Sequence, residues 1–142
     1  MSARLRAETA VRAYISALNA GDADRIAACV TEDFVNEHAS SSGRTVIGRQ
    51  AYRERLAKFL GEFRDLHYAI EDIIVDGDCV AVPYVVSANW VADGMDVATG
   101  RHFSLRGMFR FSVAGDLIAH RVDYWDATDF QRQVQSPAAG DR

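Results

Sequence analysis

At His67 the spacing of apolar residues changes, and that change limits the chain to few architectures. Before it the spacing is helical. From Ala3 to Ala20 the apolar positions Leu5, Val11, Tyr14, Ile15 and Leu18 share one helix face, and Gly21 supplies a stop. Asp22 caps a second helix over Ala23 to Val30, with Ile26, Cys29 and Val30 as its apolar side. Phe34 to Ala39 reads as a short extended segment, Ser40 to Gly43 as a loop, and Gly48 precedes a third helix, Arg49 to Phe63, striped by Tyr52, Leu56, Phe59, Leu60 and Phe63. After the change the period is two. Strands are expected over His67 to Val75, Cys79 to Val91, His102 to Val113 and Leu117 to Asp126. Asp76-Gly77-Asp78 and Ala114-Gly115-Asp116 form turns, Asp93-Gly94 and Thr99-Gly100 bound a flexible loop, and Pro83 marks a bulge or an edge. Helices first and antiparallel strands after is the α+β pattern, with helices covering one face of a curved sheet. Such a sheet leaves a conical pocket, a common kind of ligand site.

The final strand cannot be plain core. Alternation puts Ala119, Arg121, Asp123 and Trp125 on one face and Ile118, His120, Val122, Tyr124 and Asp126 on the other. A buried carboxylate is costly unless paired or hydrogen-bonded. Asp123 therefore either lines a cavity beside Arg121 or sits at an exposed rim, and both readings stay open. Phe34, Asn36 and His38 also point one way from their segment, an unusual set for a surface strand.

Several classes are excluded. The chain has 142 residues, 49% of them hydrophobic, enough for one domain over 1–135, with a frayed tail over 136–142. A net charge of -4 argues against nucleic-acid and anionic-membrane partners, because no basic patch is visible. No apolar run approaches the ~20 residues of a membrane span, and the N-terminus lacks a signal-peptide pattern, so a cytoplasmic location is expected. Cys29 and Cys79 read as buried thiols. The four histidines show no ligand spacing and there is no Gly-rich phosphate loop, so neither metal nor cofactor is expected.

Three stretches carry a family likeness: AYISALNAGDADRIAACVTEDF, G-R-x-x-x-G-R-Q before the third helix, and GRHFSLRGMFRFSVAGDLIAHRVDYWD. Together they resemble the nuclear transport factor 2-like superfamily, most nearly its SnoaL-like polyketide cyclase group, with similarity to ketosteroid isomerases and limonene epoxide hydrolases. The resemblance implies a cone-shaped α+β fold, helices packed on a strongly curved, mostly antiparallel sheet. It also implies a homodimer through the outer sheet face, which mixes Arg106, Met108 and Arg110.

The isomerase likeness carries an oxyanion-donor role onto Tyr14 and a proton-abstracting role onto His38. The position of a second donor falls on Gly107, which offers no side chain. The hydrolase likeness carries a water-activating role onto Asp123 and retains Asn36, with Phe34 in place of a tyrosine. Its Arg-x-Asp pair falls on Tyr84 and Val86, which argues against a limonene-type epoxide hydrolase. The cyclase likeness offers Asp123 or Asp126 as acid/base.

These readings converge on acid/base chemistry with a small hydrophobic carbonyl compound. Asp123, His38 and Tyr14 are the catalytic candidates. Asn36, Phe34, Tyr84, Arg121 and Trp125 are the candidates for binding substrate, with Arg121 orienting Asp123. The rival reading is a small-molecule-binding or accessory protein with the same cone and no turnover.

Overall fold

The computed structural model describes residues 2–39, 43–92 and 100–135. The expected loops at 40–42 and 93–99 and the expected tail at 136–142 lie outside them. α1 (Ala3–Ala20) starts where the Ser2 hydroxyl accepts from the Leu5 amide and ends at Gly21, whose left-handed backbone (φ 66°) lets its N–H reach the Leu18 carbonyl. α2 (Ala23–Ala27) is capped by Asp22 and ends earlier than its apolar pattern suggests, because Val30 is already the first residue of β1 (Val30–His38). β2 (Val46–Ile47), α3 (Arg49–Glu62), β3 (Phe63–Ile70), β4 (Ile74–Asp76), β5 (Cys79–Trp90), β6 (Arg101–Ala114), β7 (Leu117–Trp125) and α4 (Ala127–Gln135) follow.

Among the described residues the strands form one sheet in the order β2-β1-β7-β6-β5-β3, with β4 also on β5. All pairs are antiparallel except β1 with β7. The expected strand over His67 to Val75 is split in two. Pro83 explains the break: β3 leaves β5 at Ile70 opposite Tyr84, β4 joins it at Ile74 opposite Ala81, and the residue without an N–H lies between. Its carbonyl accepts from the Glu71 amide.

α1 lies across the inner face of the sheet. Its Val11, Tyr14, Ile15 and Leu18 join the core with Val80, Val82 and Val86 of β5 and Phe109 and Phe111 of β6. Every second residue of β5 from Val80 to Ala88 is buried, as period two requires. In β7 the alternation shifts once. Ser112 pairs with His120 but Val113 with Ile118, so Ala119 is an extra residue, and Ile118 is fully buried in the core instead of sharing the outer face with His120. The two thiols are free and only partly buried, which corrects the expectation of buried cysteines. Among the described residues no helix is long and apolar enough to cross a membrane, and no group of His, Cys, Asp or Glu could hold a metal ion.

α4 has no counterpart in the sequence reading. The Asp126 carboxylate accepts from the Thr128 and Asp129 amides and so caps it, while Phe130 and Val134, four apart, are its buried side.

Candidate functional site

Strands from opposite ends of the chain meet at the centre of the sheet. β1 runs parallel to β7, with Asn36 opposite Arg121 and His38 opposite Asp123; on the other side of β7, Phe111 stands opposite Arg121 and Phe109 opposite Asp123. The next rung is Trp125, Gly107, Tyr84. Because Gly107 has no side chain, Tyr84 lies across it and its hydroxyl donates to Asp123 Oδ1 at 2.5 Å. A Cβ at position 107 would stand 2.4 Å from the Tyr84 oxygen and 2.8 Å from the Tyr124 carbonyl, so no residue but glycine fits without displacement.

Asp123 is 5% exposed. Burial pushes its pKa above the usual 3.8, opposed by the positive charge of Arg121 and the hydrogen bond from Tyr84. Arg121 makes no ion pair with Asp123 within 4.0 Å among the described residues. Instead its Nη1 donates to the Tyr14 hydroxyl at 3.0 Å, and its guanidinium lies 5.0 Å from the centre of the Phe109 ring. Tyr14 in turn meets the Tyr52 hydroxyl at 2.5 Å. Arg121 Nε and Asn36 Oδ1 are buried with no hydrogen-bond partner among the described residues.

His38 Nδ1 lies 3.7 Å from Asp123 Oδ2 and accepts from Trp125 Nε1 at 3.3 Å. An indole N–H can only donate, so Nδ1 presents its lone pair and the ring proton sits on Nε2. Burial, followed by the charges of Arg121 and Arg55, holds the His38 pKa down at about 3. The ring is therefore a neutral hydrogen-bond donor at physiological pH. In nitrogen-15 NMR it should keep neutral Nε2–H shifts between about pH 5 and 8. A titration step near the ordinary 6.5 would refute this.

The residues surround a cleft with two compartments, joined where His38, Phe59, Phe63 and Trp125 line both. The larger, about 300 Å³, has Asn36, Tyr52 and Arg121 in its walls, together with Arg44 and Arg55. The smaller, about 70 Å³, is lined by Asp123, Tyr84 and Tyr68 among apolar side chains that include Val86, Phe103 and Phe130.

Of the expected site residues, His38, Asp123, Asn36, Tyr84, Arg121 and Trp125 line this cleft, whereas Tyr14 and Phe34 line neither compartment. Both are fully buried behind Tyr52: Tyr14 through its hydroxyl and Phe34 through its ring, 4.8 Å away. Asp126 is spent on capping α4. Tyr52, Arg55 and Tyr68 also line the cleft, and Tyr52, part of the apolar stripe of α3, is both core and wall. That Tyr84 fills the place of a side chain at Gly107 could not be read from the chain, since it depends on a cross-strand neighbour.

A family model described as a SnoaL-like domain matches residues 11–121. No curated protein matches the chain in sequence. Among solved structures, a candidate polyketide cyclase from Xanthomonas campestris pv. campestris is 28% identical, with a TM-score of 0.75 over 93% of this chain and 98% of that one. A protein of ketosteroid isomerase-like fold from Catenulispora acidiphila, crystallised with trimethylamine, is 17% identical, with a TM-score of 0.77 over 90% and 93%. An epoxide hydrolase of M. tuberculosis, of the LEH-like kind, is 21% identical, with a TM-score of 0.77 over 93% and 91%.

Proposed function

The chain belongs to the SnoaL-like domain family, and from that premise we propose that it performs cyclase- or isomerase-type acid/base chemistry on a small hydrophobic carbonyl compound bound in the cleft. One observation carries the reading. Asp123 is a buried carboxylate in the wall of an apolar compartment, held on one oxygen by Tyr84, with no arginine or lysine within 4.0 Å among the described residues. Such a group is a stronger base than an exposed one, because burial raises its pKa.

Asp123 Oδ2 takes a proton from the carbon next to the carbonyl. The C–H pair moves into the carbonyl, whose oxygen becomes an enolate and accepts from His38 Nε2–H. The enolate carbon then attacks a second carbonyl, closing a ring while that carbonyl's π pair becomes an alkoxide that takes the proton back from Asp123, or Asp123 returns the proton to a different carbon of a conjugated enolate. His38 is a poor base with its pKa near 3 and its Nδ1 engaged by Trp125, so the donor role suits it better. Tyr14 is a positioning residue, bracing Arg121 and Tyr52 from behind. Small-molecule use of the cone is supported by the fold neighbour crystallised with trimethylamine. For the assembly, the reading seats a second copy on the outer sheet face, where Met108 and Tyr124 are exposed neighbours.

Deuterium exchange at the α-carbon of an aromatic ketone tests the chemistry. The protein should speed exchange, with a rate that rises as pH passes an Asp123 pKa above 3.8 and shows no further step near 6.5. Tight binding of many ketones without exchange at any pH would instead favour the non-catalytic binder.

A further inference from the structure

We propose that the substrate carries a carboxylate, held in the larger compartment by Arg55, Arg44 and Arg121 and kept apart from Asp123; this rests on the acid/base reading for the position of the reacting carbon. The chain as a whole has a net charge of -4. Yet among the described residues the larger compartment is lined by three arginines and no acid. Four arginines elsewhere pair with carboxylates, Arg6 with Asp116, Arg12 with Glu8, Arg53 with Asp24 and Arg106 with Glu71, while the exposed Arg4, Arg64 and Arg110 pair with none among the described residues. Arg44 and Arg55 have no such partner among the described residues.

The buried groups point the same way. Arg121 is 5% and Asn36 7% exposed, both line this compartment, and each leaves one polar side-chain atom unpaired among the described residues. Unpaired buried polar groups destabilise a fold, and they persist where a ligand completes them. A guanidinium N–H offers a carboxylate what it accepts, and the Asn36 amide can turn either its nitrogen or its oxygen to the same place. The positive field is also felt at the junction, where Arg121 and Arg55 both oppose protonation of His38.

The two compartments then sort the ends of the substrate. The ionised Asp123 repels an anion from the smaller one, and the arginines attract it to the larger. The carbonyl end is left against Asp123 and His38, which both face the smaller compartment. The arginines thus fix which way round the molecule binds.

The probes are para-acetylbenzoate and its methyl ester, titrated against the protein by calorimetry, with deuterium exchange of the acetyl protons followed in the same samples. The acid should bind about tenfold more tightly than the ester at low salt, with the gap closing as salt rises. Arg55→Gln, an exposed helix position, should narrow the acid's advantage without erasing it, because Arg44 and Arg121 remain, and should cost the acid several-fold more affinity than the ester. Equal affinities, or an Arg55→Gln loss shared equally by both probes, would overturn the carboxylate subsite while leaving the acid/base reading in place. Preferential binding of the acid without exchange of either probe would do the reverse. Failure of both probes to bind would overturn both.

Discussion

Asp123→Asn should cut the rate of α-proton exchange between about a hundredfold and ten-thousandfold, the usual worth of a positioned general base, while ligand affinity is kept. The same variant should be more resistant to heat than the parent at neutral pH. The sign follows from linkage. A carboxyl whose folded pKa is raised keeps its proton in the native state at pH values where the unfolded chain has lost it, so its contribution to stability falls as pH climbs above 3.8. Asparagine has no charge to desolvate and can still accept from the Tyr84 hydroxyl. The stability gap between variant and parent should therefore widen as pH rises from about 4 through the raised pKa of the folded state, level off above it, and be independent of pH below about 4. A variant that melts lower than the parent at neutral pH would show Asp123 to be a structural residue, and the catalytic reading would fall.

Gly107→Ala should destabilise the fold by about 1–3 kcal/mol, the typical cost of overpacking, and should also move the pH profile. The new methyl would press on the Tyr84 hydroxyl and on the rigid Tyr124 carbonyl. Tyr84 would have to leave Asp123, and since its hydrogen bond holds the Asp123 pKa down, the acid limb of the rate profile should shift to higher pH. Tyr84→Phe removes the same bond without crowding and should shift the limb in the same direction at a smaller cost in stability. In the double variant the two limb shifts should not add, because one hydrogen bond can be lost only once. Additive shifts would mean that Gly107 acts on the site by another route.

Much of the fold was legible because its elements are locally consistent. α1 has a cap, an apolar face and a glycine stop, and it runs over the residues that those signals mark. The long inner strands keep period two. Failures occur where a neighbour decides. Val30 has helical spacing with Ile26 but pairs with Ile118 of β7. Pro83 read as an edge or bulge, yet it sits inside a strand at the place where one partner strand gives way to another. α4 carries ordinary local signals, Asp126 as cap followed by the i, i+4 pair Phe130 and Val134, but it is short and its apolar side is recognisable only against Phe103 and Trp125, which pack on Phe130.

At the site, the inward face of Arg121, Asp123 and Trp125 was visible by alternation alone. What the chain could not reveal is depth. Tyr14 and Tyr52 look alike on their helix faces, but only Tyr52 reaches the cavity, because the Tyr14 hydroxyl is covered by Tyr52 and Arg121. Nor does adjacency in sequence imply a pair: Arg121 and Asp123 share a face, but the guanidinium turns away to Tyr14 and the Phe109 ring.

The strand that carries Asp123 is made late and placed centrally. β7 lies between β1 and β6, and the His38–Trp125 bond closes a loop of 87 residues. On a ribosome, the growing chain would hold the two flanking strands with open edges until β7 has emerged, and open edges invite pairing with other chains. Long-range closure of this kind also slows folding. Insertion of β7 closes the inner edges of β1 and β6 and sets Arg121 and Asp123 beside Asn36 and His38 in one event, so the edges that persist are those at β2 and β3.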